Sequence, residues 1–120
     1  MEKTNKSVLF IETEESMFDY KTTAFDDFFN NIERVKGEQK ALKLIYKNQY
    51  DAIVSDMSVN VEDGVTFMKQ IKEMKPQQII FTLVATKDEG NIGALIDAGI
   101  HSFVLEAEQF EQALQTIAGF

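Results

Sequence analysis

The chain predicts an α/β domain in which the strands of a parallel sheet alternate with helices covering both sheet faces. Two observations carry this. Short apolar runs recur along the chain and are continuous rather than alternating, as in strands buried on both sides. Between them lie longer stretches whose apolar residues recur every three or four positions, the stripe of an amphipathic helix. No repeat, low-complexity tract or linker interrupts the alternation, and 120 residues suffice for one core, so residues 1–120 are expected to form one domain.

Each element has its own signal. Val8-Leu9-Phe10-Ile11 is β-branched and aromatic and reads as the first strand. Glu14 to Asn31 places Met17, Tyr20, Ala24, Phe25 and Phe28 at helical spacing, so a helix is expected there. Ile32 to Lys36 is a second strand closed by Gly37, and Glu38 to Asn48 is a helix with Ala41, Leu44 and Ile45 on one stripe. Tyr50 to Asp56 is the third strand. Asp63 is placed as the N-cap of a helix that turns Val65, Phe67, Met68 and Ile71 inward and is stopped by Pro76. Ile79 to Val84 is the fourth strand. Gly90 to Ala98 is a short helix with Ile92, Leu95 and Ile96 inward and Gly99 at C′. Ser102 to Leu105 is the fifth strand, preceded by the sole histidine, His101, as a loop residue. Glu108 to Ala118 is the last helix, with Phe110, Ala113, Leu114 and Ile117 as its stripe.

Composition removes several function classes. The net charge is −8 and the one arginine is Arg34, which argues against nucleic-acid binding because that needs a basic face to offset phosphates. There is no cysteine, hence no disulfide framework or thiolate metal site. A single histidine with no nucleophile beside it builds no catalytic triad. The polar N-terminus and the short run Val8 to Ile11 make neither a signal peptide nor a membrane span, so a cytoplasmic protein without membrane contact is expected. The Phe-rich first helix, with Phe18, Phe25, Phe28, Phe29 and Met17, spans more than one helical face and is mostly core, with an exposed pair as a candidate docking patch.

Right-handed crossovers and short connections lead to a flavodoxin-like (βα)5 three-layer sandwich with sheet order 2-1-3-4-5. Ligands of such sheets collect beyond the C-terminal strand ends, where Asp56 closes the third strand and Glu12 and Thr13 close the first. An aspartate at that position serves as a nucleophile toward a phosphoryl donor, as a metal ligand, or merely as a polar strand end.

Val8-Leu9-Phe10-Ile11-Glu12, the run Tyr50 to Asp56 and Asp63-Gly64 together resemble a response-regulator receiver domain (CheY-like). Ala85, Asn91-Ile92, Ala98-Gly99 and Phe103 extend the likeness over essentially the whole chain. The resemblance implies that Asp56 is the phosphoacceptor for a histidine kinase, with Mg2+ bridging carboxylate and phosphoryl oxygens. It places the acidic pair at Glu12 and Thr13, the phosphate-binding hydroxyl at Val84, the ammonium at Glu106 and the switch aromatic at Phe103.

Three of these positions depart from the family pattern. Thr13 supplies a neutral hydroxyl in place of a hard carboxylate, leaving Glu12 and Asp56 as a weak ligand set for Mg2+. Val84 forms no hydrogen bond, and Thr82 and Thr86 beside it would need a shifted register to replace it. Glu106 reverses the charge, and two like charges about 5 Å apart cost on the order of 3 kcal/mol at an effective dielectric near 20. Glu12, Glu14, Asp56 and Glu106 could alternatively converge on a divalent cation.

The expectation is an atypical receiver, or pseudo-receiver. It would serve two-component or phosphorelay signalling mainly through protein–protein interaction, and would not be an enzyme. The alternative is a phosphorylation-independent scaffold or adaptor. The implied partners are a histidine kinase or other signalling protein, and a second copy bound through the face of the fourth helix, fifth strand and fifth helix.

Overall fold

The computed structural model describes residues 4–12, 28–56, 61–85, 92–105 and 109–120. Among them run strands β1 (Thr4–Glu12), β2 (Phe29–Lys36), β3 (Ala52–Asp56), β4 (Ile80–Ala85) and β5 (His101–Leu105). The helices are α1 (Glu38–Lys47), α2 (Val61–Met74), α3 (Gly93–Asp97) and α4 (Phe110–Ala118), which are the second to fifth of the expected helices. All strand pairs are parallel and the sheet order is β2-β1-β3-β4-β5, the flavodoxin-like arrangement that the alternation predicts.

Strand alternation divides the core into two layers. Val8, Phe10, Val54, Phe81 and Leu83 pack on one face against Ala113, Leu114 and Ile117 of α4. Leu9, Ile11, Ile53, Ile80 and Val84 pack on the other against Ala41 and Ile45 of α1, Phe67, Met68 and Ile71 of α2, and Leu95 of α3. The continuous apolar runs thus reflect strands covered on both faces.

Several boundaries differ from the sequence reading. The predicted helix Glu14 to Asn31 falls mainly on residues 13–27, outside the described residues, but its last three positions are the start of β2. Phe29 is buried in the core and Phe28 packs against the same cluster, so neither belongs to an exposed docking patch. Met17, Phe18 and Phe25 lie outside the described residues. Polar residues lengthen β1 backward to Thr4: Asn30 Nδ2 donates to Asn5 Oδ1 at 2.6 Å, and Asn31 Nδ2 to the Asn5 carbonyl at 3.0 Å. Asp63 lies within the first turn of α2 rather than at its N-cap. His101 is the first residue of β5, its ring centroid 5.3 Å from that of Phe81. Ile96, expected inward, is exposed, whereas Leu95 is fully buried.

The end of α3 shows why Gly99 stands where it does. Gly99 has φ of 81°, its N–H donates to Ile96 O at 3.0 Å, and the Ile100 N–H donates to Leu95 O at 3.0 Å. This is a Schellman cap, and Leu95 and Ile100 supply its hydrophobic contact. A Cβ at Gly99 would meet nothing within 4 Å, so substitution strains only the backbone. Gly99→Ala is expected to lower stability by about 1 kcal/mol, with Gly99→Asn losing less, as chemical denaturation would show.

Candidate functional site

The sheet order places the C-terminal ends of β1 and β3 side by side. Their pairing runs to Ile11 opposite Ser55, and Glu12 and Asp56 come next on the two strands. Asp56 is the last residue of β3, in register with Leu83 of β4. The side chain of Asp56, like Thr13, Glu14 and Glu106, lies outside the described residues. Glu12, Val84 and Phe103 are the predicted site residues whose side chains are described.

Glu12 is buried and charged, and its partner comes from the neighbouring strand. Arg34 Nε donates to Glu12 Oε1 at 2.7 Å, and Arg34 Nη2 donates to the same oxygen in an ion pair. The β1–β2 register explains the contact. Phe10 lies opposite Arg34 and Glu12 opposite Lys36, so Arg34 is the diagonal neighbour of Glu12 on one sheet face. Long side chains reach each other across such a diagonal. Lys36, directly opposite, adds a second positive charge to the same strand end.

Val84 is fully buried among Ile80, Leu95 and the rest of the α1–α3 layer. Thr82 is buried, its Oγ1 is hydrogen-bonded to Ser102 Oγ at 2.8 Å, and it donates to the His101 carbonyl at 3.3 Å. The register holds Ser55 opposite Thr82 and Thr82 opposite Ser102, without a shift. Thr86 lies outside the described residues. Phe103 is half-buried on the opposite sheet face from Val84, packed toward the α4 layer with its ring centroid 5.8 Å from that of Phe81.

The family model described as the response regulator receiver domain matches residues 8–118. The chain belongs to this family. Among solved structures, the receiver domain of NtrC4 from Aquifex aeolicus is similar at 24% identity and a TM-score of 0.74, over 95% of this chain and 94% of that one. The chemotaxis response regulator CheY4 of Vibrio cholerae shares 21% identity with a TM-score of 0.72, over 95% and 99% of the two chains. The receiver domain of sensor histidine kinase PA1611 from Pseudomonas aeruginosa PAO1, solved with a magnesium ion coordinated in its active site cleft, shares 18% identity. Its TM-score is 0.65, over 98% of this chain and 100% of that one. A comparison with curated protein sequences finds no match. The protein is therefore a receiver domain of the two-component signalling type.

Receiver domains commonly hold Mg2+ at their acidic edge, and of the carboxylates expected there Glu12 is the one whose side chain is described, and it fits the ion poorly. A hard divalent cation needs carboxylate oxygens free to face it. In this receiver the Glu12 carboxylate already faces a guanidinium. No group of three or more His, Cys, Asp or Glu converges to hold a metal among the described residues. Nor is any helix among them long and apolar enough to cross a membrane.

Arg34 is the site residue that the sequence reading left as a bare charge count. Its signal was present: once β2 is set beside β1, alternation puts a basic residue within diagonal reach of Glu12. The missing information was the register, which depends on the backward extension of both strands.

A second polar contact of the receiver joins β2 to the approach to β3. The Tyr50 hydroxyl donates to Glu33 Oε1 at 2.5 Å. Burial pushes the phenol up to about 12, the bond to Glu33 adds to this, and a weaker bond from Asn48 opposes it. The neutral phenol is thus favoured in the folded state. Its contribution to stability is fully present below pH 10.0 and disappears as pH rises through about 12. Ultraviolet titration should show a tyrosine ionising near 12, and Glu33→Gln should lower that midpoint without abolishing the effect of burial.

Proposed function

We propose that this receiver domain is an atypical one, a pseudo-receiver that works mainly through protein–protein interaction in the cytoplasm. Asp56 is its candidate phosphoacceptor and its phosphorylation pocket is incomplete. The observation that carries this reading is the burial of Val84 in the apolar layer, together with the bond of the nearby Thr82 hydroxyl to Ser102. Neither offers a hydroxyl to a phosphoryl group arriving at the end of β3. The carboxylate at Glu106, where the family places an ammonium, further opposes a long-lived dianionic aspartyl phosphate. Partner recognition then falls to surfaces, with a histidine kinase or another signalling protein as the class of partner. The α3–β5–α4 face is the candidate for a homodimer.

Beryllofluoride with millimolar Mg2+ tests the reading, since it mimics an aspartyl phosphate. The expected result is no saturable change in the backbone amide spectrum around Asp56. A saturable change that Asp56→Asn abolishes would sink the incomplete-pocket reading. The phosphorylation-independent adaptor is the limiting form of this proposal, and it is favoured if Asp56→Asn leaves partner binding unchanged.

A further inference from the structure

We infer that Arg34 is a resident cation of this receiver, taking at Glu12 the place a divalent ion would take and closing that carboxylate to Mg2+. The inference rests on the incomplete-pocket reading and assigns a specific cause to one part of it. Both guanidinium donors converge on Glu12 Oε1, and Nε lies 2.7 Å from it. Glu12 is buried, so its charge needs a partner close by, and the chain supplies that partner from its own backbone neighbour. Arg34 is the sole arginine of a chain with net charge −8, and it is the residue type whose planar fork suits a carboxylate.

The tether favours the guanidinium over a free ion. Residues from Asn31 to Lys36 pair continuously with β1, so Arg34 is delivered to Glu12 with little orientational freedom left to lose. A Mg2+ ion approaching the same oxygen would have to shed water and meet a fixed like charge. Lys36, in register with Glu12, raises that barrier. The consequence is an acidic edge neutralised independently of the cell's Mg2+ level.

The experiment is a Mg2+ titration of the full chain at constant ionic strength, with no phosphoryl analogue, followed by the backbone amides of Phe10 to Glu12 and Val54 to Asp56. Wild type, Arg34→Gln, Arg34→Lys and Arg34→Gln/Glu12→Gln are compared. Wild type should show no saturable shift in the millimolar range. Arg34→Gln should acquire saturable binding, tighter than wild type by about tenfold or more. The added Glu12→Gln should remove it, and Arg34→Lys, whose ammonium lacks the planar fork, should bind Mg2+ weakly, between wild type and Arg34→Gln. Equal Mg2+ affinities in wild type and Arg34→Gln, or a folded Arg34→Gln that binds no Mg2+, would overturn the inference. Should Arg34→Gln fail to fold, saturable Mg2+ shifts at Glu12 in wild type overturn it. Their absence there, with weak saturable binding in Arg34→Lys, supports it. A beryllofluoride response at Asp56 would count against the incomplete pocket instead, because the Mg2+ comparison contains no phosphoryl mimic.

Discussion

Val84→Thr should destabilise the domain by about 2 kcal/mol, even though it restores the residue type that the receiver family pattern puts at this position. The two side chains are nearly the same size, so the cost is not a cavity but a hydroxyl taken out of water. Val84 is fully buried, and its packing neighbours, including Leu95 and Ile80, are apolar. The nearby polar pair is already satisfied internally, Thr82 with Ser102. The cross-strand partner of Val84 is Val104, which offers no side-chain acceptor. Val104→Thr is the matched control: Val104 is only half-buried, so its hydroxyl keeps access to water and the loss should be smaller. Urea denaturation with an unchanged slope would assign the difference to the folded state. If Val84→Thr were as stable as wild type, the hydroxyl would have found a partner at the end of β4. The pocket would then be closer to a functional one than the burial of Val84 implies.

The fold was legible because its signals were local. The cores of β1, β3 and β4 are mainly apolar runs covered on both faces, and the described helices turn apolar residues toward one of two layers. Where tertiary pairing overrides local pattern, the reading failed. Phe29, Asn30 and Asn31 continue a helical period, yet they form strand because Asn5 on β1 accepts bonds from both asparagine side chains. That same extension makes Thr4 to Ser7 a strand although it is polar. The juxtaposition of Glu12 and Asp56 was legible, since both come next after paired residues at the C-terminal ends of β1 and β3. Its electrostatics were not legible. Glu12 reads as a free acid until the register shows that Arg34 is within reach.

Arg34→Ala is the second substitution with a large expected effect, a loss of about 2 kcal/mol and a fall in Tm of about 8 °C for a domain of 120 residues. A surface ion pair is worth only about 0–1 kcal/mol, and Arg34, with about a third of its side chain exposed, would by itself belong to that class. Glu12 changes the balance. Its side chain is 8% exposed, so removing the guanidinium leaves a carboxylate without its counter-charge where water reaches it poorly. The loss in Arg34→Ala is therefore mainly the cost of stranding Glu12, not the strength of the pair. This has a consequence that separates the two. Glu12→Leu in the Arg34→Ala background should recover most of the stability, because an apolar side chain can join Phe10 and Val8 on that face without needing a partner. The double-mutant cycle should give a coupling energy of about 1–2 kcal/mol that weakens only modestly in high salt, since the acid is buried. A coupling near zero, with Arg34→Ala as stable as wild type, would show Glu12 to be accommodated without Arg34, and would leave its carboxylate available to an ion.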